Sequence, residues 1–271
     1  MLPINFHQTF IPDRMLIGKL LNYVARGGFG TYKEMSIATG IPMGVSNGKM
    51  PAIYAYTLGM GLIVTKESDG AKVPSLTRLG EKVYSEDEYL GLSITQWLAH
   101  INLCRKDIGA KTWNFTFASG SRVIGNSFTK TQLEEYLATK CGGGKDRVGP
   151  LISTYLEDAA LGRAEVILNQ GDNYLRKKAP LSSSFVNGYS FALLLLLEAF
   201  FPGQGQVTLT DFEDSTSFFD ICLWDEADRE YMFSIIERKG FLTIDRQMKP
   251  WIIERRADSE EALKHLYDDI A

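Results

Sequence analysis

The sequence is poor in the residues that usually carry chemistry. Its 271 residues include only three cysteines and three histidines. Cys104, Cys141 and Cys222 are scattered, odd in number and without CxxC spacing. That argues against a disulfide framework or a zinc site and points to a reducing, cytoplasmic setting. His7 and His265 lie near the termini. His100 has no acid or nucleophile near it in sequence, so a packed, hydrogen-bonded ring is its expected role. No nucleophile–base pair and no clustered acids stand out, so no catalytic residue, metal or cofactor is expected. Long apolar runs are also missing. The strongest, residues 191–201 interrupted by Glu198, is too short to span a bilayer and reads as a buried helix. The first residues, Met1-Leu2-Pro3-Ile4-Asn5, have neither the basic start nor the apolar run of a signal peptide. No membrane partner is expected.

What is present is an ordinary globular composition, 45% apolar and 23% charged, with an uneven charge distribution. The net charge is −4 overall, but residues 1–80 carry +4, residues 81–200 are neutral and residues 201–271 carry −8. A local basic face suffices for nucleic-acid contact even on an acidic chain. The acidic third suits a solvated or protein-binding surface.

The most informative stretch is residues 31–64, TYKEMSIATGIPMGVSNGKMPAIYAYTLGMGLIV. Thr31 followed by Glu34 fits a capping box. Met35, Ile37 and Ala38 supply the apolar positions of a short helix. Gly40 suits its left-handed end, and Pro42 forbids continuation. Pro51 fits the first turn of a second helix. In that helix Ile53, Thr57 and Met60 should face the core, leaving Lys49, Tyr54 and Ala55 nearer the outside. A strand follows at 61–64, a turn at 68–71, and a returning strand at 73–76, with Lys66 and Lys72 at the tip. Helix, turn, helix and hairpin make a winged helix-turn-helix.

Between the two helices, residues 44–49 offer backbone amides, Ser46, Asn47, Gly48 and Lys49 ahead of a helix start. Such a place attracts anions. It lacks P-loop spacing, because Met43 stands where a glycine is needed and no buried strand precedes it. A DNA phosphate contact and a plain polar loop both remain open. Lys33, Ser46, Asn47, Gly48, Lys49, Lys66, Lys72 and Arg78 would touch phosphates, and Tyr54 is the best base-reading candidate. No Arg, Asn or Gln lies between Pro51 and Gly61, so sequence readout should be weak.

Elsewhere, residues 2–8 read as an extended arm and 12–26 as a first helix. Residues 88–105 read as a mostly buried helix, and 113–117 as a strand or buried loop. Residues 129–140 form an amphipathic helix that Thr129 would cap. Residues 141–147, rich in glycine and carrying Lys145 and Arg147, suit either an anion cradle or a helix connection. Residues 147–161 are the next helix, followed by a hairpin near 165–177. Residues 185–256 repeat the opening plan. There, 210–212 lead into a polar segment, and a helix over 225–239 has Ala227, Tyr231, Ile235 and Ile236 as its apolar positions. Residues 125–178 have the same order again. The fold class is therefore α+β, mainly α with short β-hairpins, built from tandem winged-helix-like units. The expected domains are 1–84, 85–182 and 183–271.

Several stretches resemble a bacterial family of unknown function: Phe6-His7-Gln8-Thr9-Phe10, Thr39-Gly40-Ile41-Pro42-Met43-Gly44, Ser46-Asn47-Gly48-Lys49, residues 56–63 and Thr95-Gln96-Trp97-Leu98-Ala99-His100. Members occur near DNA phosphorothioation and phage-defence genes, often beside PAPS-reductase-like proteins. The resemblance implies a role in DNA modification or defence, with such a protein as partner. It brings no established activity. On these grounds the expected function is that of a non-catalytic DNA-binding accessory protein, possible as a homodimer. The alternative is a protein–protein adaptor that uses its winged-helix units and its acidic third.

Overall fold

The computed structural model describes residues 1–44, 48–68, 70–142 and 148–270. The chain is α+β, with many helices and, among the described residues, three small antiparallel sheets. It divides into two compact units, Met1–Lys177 and Lys178–Ala271.

Unit 1 opens with turns rather than an extended arm. Leu2 pairs with Ala110, and Phe6 and His7 are buried. Helix α1 (Arg14–Ala25) is capped by Asp13. Then come α2 (Tyr32–Thr39), α3 (Lys49–Gly59) and the hairpin β1 (Ile63–Ser68) and β2 (Ala71–Leu76). An isolated bridge from Gly30 to Lys72 puts a third short segment beside β2. Helix α4 (Arg78–Glu86) follows.

The predicted 88–105 helix begins later, as α5 (Ser93–Cys104). Leu90 takes a left-handed backbone, and the Asp87 carboxylate accepts the amides of Gly91 and Leu92 at 2.7 and 3.0 Å. Those bonds replace helical ones and delay the helix start. Residues 113–117 are neither strand nor loop. They belong to α6 (Lys111–Asn114) and a π-helical turn, Phe115–Ser119, followed by α7 (Ser121–Ile124). Trp113 and Phe117 are fully buried there. Strand β3 (Ser127–Thr129), α8 (Lys130–Cys141), α9 (Val148–Leu156), β4 (Ile167–Gln170) and β5 (Asn173–Arg176) complete the unit.

Unit 2 begins with α10 (Val186–Phe200), preceded by a 3-10 turn. Together they give an 18-residue stretch that is apolar and long enough to cross a membrane by length and composition. Its side chains instead fill the core of unit 2, Val186 through Leu194 being buried. Strand β6 (Gln206–Thr208), α11 (Leu209–Thr216), α12 (Phe218–Cys222), α13 (Glu226–Lys239), β7 (Leu242–Asp245), β8 (Ile252–Arg255) and α14 (Ser259–Lys264) follow. The segment after residue 209, expected to be polar and irregular, thus forms two helices. On α13 the buried positions include Met232 and Phe233, while Ala227 and Tyr231 face solvent.

One joint recurs at the head of three segments, and Thr77 caps α4 after β2 in the same way. A short strand or bridge ends in a threonine whose hydroxyl caps the next helix: Thr31 on the Glu34 amide, Thr129 on Gln132 and Thr208 on Asp211. The residue after each capped amide is a core residue: Met35, Leu133 and Phe212, each 0% exposed. A hairpin closes each segment. In the two three-stranded sheets its returning strand pairs with the first strand, in the orders β3-β5-β4 and β6-β8-β7. The bridge of Gly30 to β2 repeats that pairing at the N-terminus.

Removing such a cap typically costs about 1 kcal/mol. Thr31→Ala and Thr129→Ala should each lower the stability of unit 1 by that amount, and Thr208→Ala should do so in unit 2. Serine at the same positions should restore most of the loss. Segment-resolved hydrogen exchange of the full chain reads each unit separately.

Candidate nucleic-acid interface

The segment nominated from sequence folds locally as its residues dictate. The Glu34 amide donates to Thr31 Oγ1 at 3.3 Å, and the Thr31 amide donates to Glu34 Oε2 at 2.7 Å. Gly40 ends α2 at φ 70°, where a side chain would be strained. Ile41 is fully buried, and Ser36 Oγ donates to its carbonyl at 2.6 Å. Ile37, expected to pack, is 77% exposed. On so short a helix Met35 alone reaches the core.

Helix α3 departs most from expectation. Every one of its residues is buried or part-buried. Tyr54 does not face outward: it is 1% exposed, its hydroxyl donates to Thr65 Oγ1 at 2.6 Å, and its ring meets the edge of Tyr32. It cannot read bases from that position. Tyr56 is equally buried, packed against Phe6 and Trp113, with its hydroxyl donating to the Phe10 carbonyl. The part-exposed strip of α3 is Pro51, Ala55 and Leu58, with Lys49 at its start. The first three side chains have no hydrogen-bonding chemistry for base edges. A helix apolar all round is a buried helix, and this one is held between α1, α5 and β1.

The nominated cations differ in their freedom. Lys33 and Lys66 are exposed and Lys49 is part-exposed, and none of the three has an ion-pair partner among the described residues. Lys72 is held in place. Its ammonium sits 2.6 Å from Glu67 and over the Tyr32 ring, and the Glu67 carboxylate holds its pKa above the usual lysine value. Arg78 is exposed but pairs with Glu81 at 3.4 Å. The Gly48 amide, counted as a phosphate donor, is taken by Gln8 Oε1 at 2.9 Å. Ser46 and Asn47 lie outside the described residues, as do Gly143 and Gly144 of the second glycine-rich loop.

His100 is a packed histidine. It is 0% exposed, and its Nδ1 lies 2.6 Å from the Tyr155 hydroxyl. That hydroxyl also accepts the Trp113 indole N–H at 2.9 Å. Indole only donates, so the Tyr155 proton goes to His100 Nδ1 and the ring carries its own proton on Nε2. Burial, then the Arg176 charge, hold the ring well below its usual pKa. In unit 2 a separate cleft of about 310 Å³ holds Glu213, Glu226, Arg229, Lys249 and Trp251. Burial pushes the Glu213 carboxyl up to about 7, although it accepts the amides of Phe219 and Asp220. Sequence inspection missed this glutamate because nothing in the local residues marks it as part-buried. Among the described residues no group of three or more His, Cys, Asp and Glu side chains could hold a metal ion.

The protein-family comparison decides the affiliation. The family described as "Protein of unknown function (DUF4007)" matches residues 5–158. The chain belongs to this DUF4007 family. No curated protein matches it. Two solved structures, a magnesium-ion-bound SspB and an SspB, resemble it at TM-scores of 0.75 and 0.74. Each is 14% identical over 98% of this chain and 88% of the other. At that identity the likeness concerns the fold alone.

Burial of Tyr54 makes it a structural residue. Tyr54→Phe should cost about 1 kcal/mol of unit 1 stability, the worth of one hydrogen bond, and leave any DNA affinity unchanged. The buried histidines set a pH dependence. Burial lowers the His7 pKa to about 4 and holds that of His100 well below its usual value. The unfolded chain takes up these protons near pH 6.5, and the folded one does not. Unit 1 therefore loses stability as pH falls below 6.5, with His7 alone contributing about 3 kcal/mol by pH 4. Glu213 has the opposite sign: its raised pKa favours the folded state as pH falls from 7 toward 4.5. Hydrogen exchange corrected for intrinsic rate, at pH 7 and 5.5, should show protection falling around His7 and His100 and rising around Glu213.

Proposed function

We propose that this protein is a DNA-binding accessory component of a bacterial phosphorothioation-type modification or phage-defence system. In this reading it works in the cytoplasm without catalysis of its own, beside a PAPS-reductase-like protein of the same gene neighbourhood. The observation that carries the proposal is the set of un-neutralised lysines in the first segment. Lys33 stands in the first turn of α2, Lys49 opens α3, and Lys66 lies on β1. The strand–helix–helix–hairpin order reads as a winged helix, a unit that commonly sits on DNA. The fold likeness to SspB and membership of DUF4007 support the setting.

The contact is of the backbone kind. Phosphate contacts position a protein without reading sequence, and the apolar outer strip of α3 adds no direct readout. A second reading, that of an adaptor, is favoured by one feature. Tyr231 is 51% exposed on α13, beside exposed Glu230 and Ala227. Many other acids of unit 2 are already paired, Asp225 and Asp228 with Lys178, and Glu226 with Lys249.

Binding to a labelled mixed-sequence duplex, with and without phosphorothioate linkages, tests the first reading in a salt series. Each neutralised phosphate contributes a log–log salt slope of about 0.9. Lys33→Ala, Lys49→Ala and Lys66→Ala combined should weaken binding to all sequences and flatten the slope by about 3 × 0.9. Absence of binding down to low salt would remove the reading. The adaptor reading instead expects Glu230→Lys with Tyr231→Ser to abolish co-purification of a neighbour-encoded protein while DNA affinity stays the same.

A further inference from the structure

Helix α1 packs its apolar side into the core, and its solvent side carries a polar stripe. Lys19, Asn22, Tyr23 and Arg26 recur at helical spacing and line one side of a groove of about 370 Å³ in unit 1. The lining also includes Ala38 and Thr39 of α2, with Glu88 and Tyr89. Lys19 and Arg26 are exposed, and neither has an ion-pair partner among the described residues. The Asn22 side-chain amide makes no hydrogen bond among them either.

The aromatic walls are fixed in place. The Tyr23 ring lies so close to Gly28 that a Cβ there would approach it to 2.5 Å, and its hydroxyl donates to the Phe29 carbonyl at 2.7 Å. The Tyr89 ring lies against Gly18, where a Cβ would approach it to 2.6 Å. Rings seated this way keep the groove open without rearrangement.

We infer that this groove is a seat for the sugar-phosphate backbone of DNA, with Lys19 and Arg26 on phosphates and the Asn22 amide donating between them. The inference rests on the DNA-binding reading and adds a contact surface to it. Seven residues of helix separate the two cations by about 10 Å, which lets them reach separate phosphates on one DNA strand. Within the lining, the guanidinium and ammonium face one carboxylate, Glu88, while the Glu34 charge also acts on Tyr23. Tyrosine faces beside a cationic track also suit the sugars and any unstacked base.

The test uses the full-length protein and a labelled mixed-sequence duplex in a salt series. Lys19→Gln with Arg26→Gln should weaken binding on the order of 10- to 100-fold near 0.1 M salt and flatten the salt slope by about 2. Lys19→Arg with Arg26→Lys should keep wild-type affinity. Both cations are exposed, so an unchanged melting curve accompanies the loss. If the glutamine pair retains wild-type affinity and slope while the Lys33, Lys49 and Lys66 variant loses them, the groove is overturned and the DNA-binding reading stands. If both variants bind like wild type, the groove and the lysine face are both overturned. Wild-type protein that binds no duplex overturns both as well.

Discussion

The threonine joint between strand and helix is the interaction on which the rest of the chain is built. At Thr31, Thr129 and Thr208 a single hydroxyl ends an extended segment and satisfies an orphan helix amide. The turn is tight because the cap leaves no room for a loop. It points the next side chain, Met35, Leu133 or Phe212, into the core. Once strand and helix are locked at this angle, the second helix and the returning hairpin have one place to pack. The repeated sheet orders β3-β5-β4 and β6-β8-β7 are the outcome.

The same packing explains why the interface chemistry is not on α3. In the first segment that helix is enclosed by α1, α5, β1 and the N-terminal turns. Its large side chains, Tyr54 and Tyr56, are consumed by the core. Surface charge therefore falls to the elements around it, namely the start of α2, the outer side of β1 and the outer stripe of α1. Lysines near the hairpin are not equal. Lys72 is folded onto Tyr32 and neutralised by Glu67, whereas Lys66 stays in solvent. Only uncompensated cations release counterions usefully on a polyanion.

Part of the polar core of unit 1 is connected, while His7 Nε2, the Trp97 indole N–H and the Thr112 hydroxyl have no hydrogen-bond partner among the described residues. Trp113 donates to Tyr155, which donates to His100. Each of these two donors is matched to an acceptor, so burial of three polar side chains is tolerated. The arrangement holds His100 neutral and ties α5 to α6 and α9.

Local signals carried a large part of this fold. Capping boxes, the Gly40 stop, Pro51, the hairpin at 68–71 and the buried helix near 191 were legible because they depend on neighbours within a few residues. The repeated helix–helix–hairpin order followed from them, whereas the leading strands β3 and β6 did not. What sequence left open depends on distant partners. Residues 113–117 became helical because Trp113 and Phe117 fill the core around His100. Helix α5 starts late because Asp87 captures two amides. Tyr54 turned inward because Thr65 and Tyr32 receive it, and spacing within one helix cannot show that. The cations behaved likewise: their positions were evident, but which ones stay unpaired was decided by the acids that folding brings beside them. Composition and short-range pattern determined the elements and the balance of charge; tertiary packing alone decided which faces remain to meet a partner.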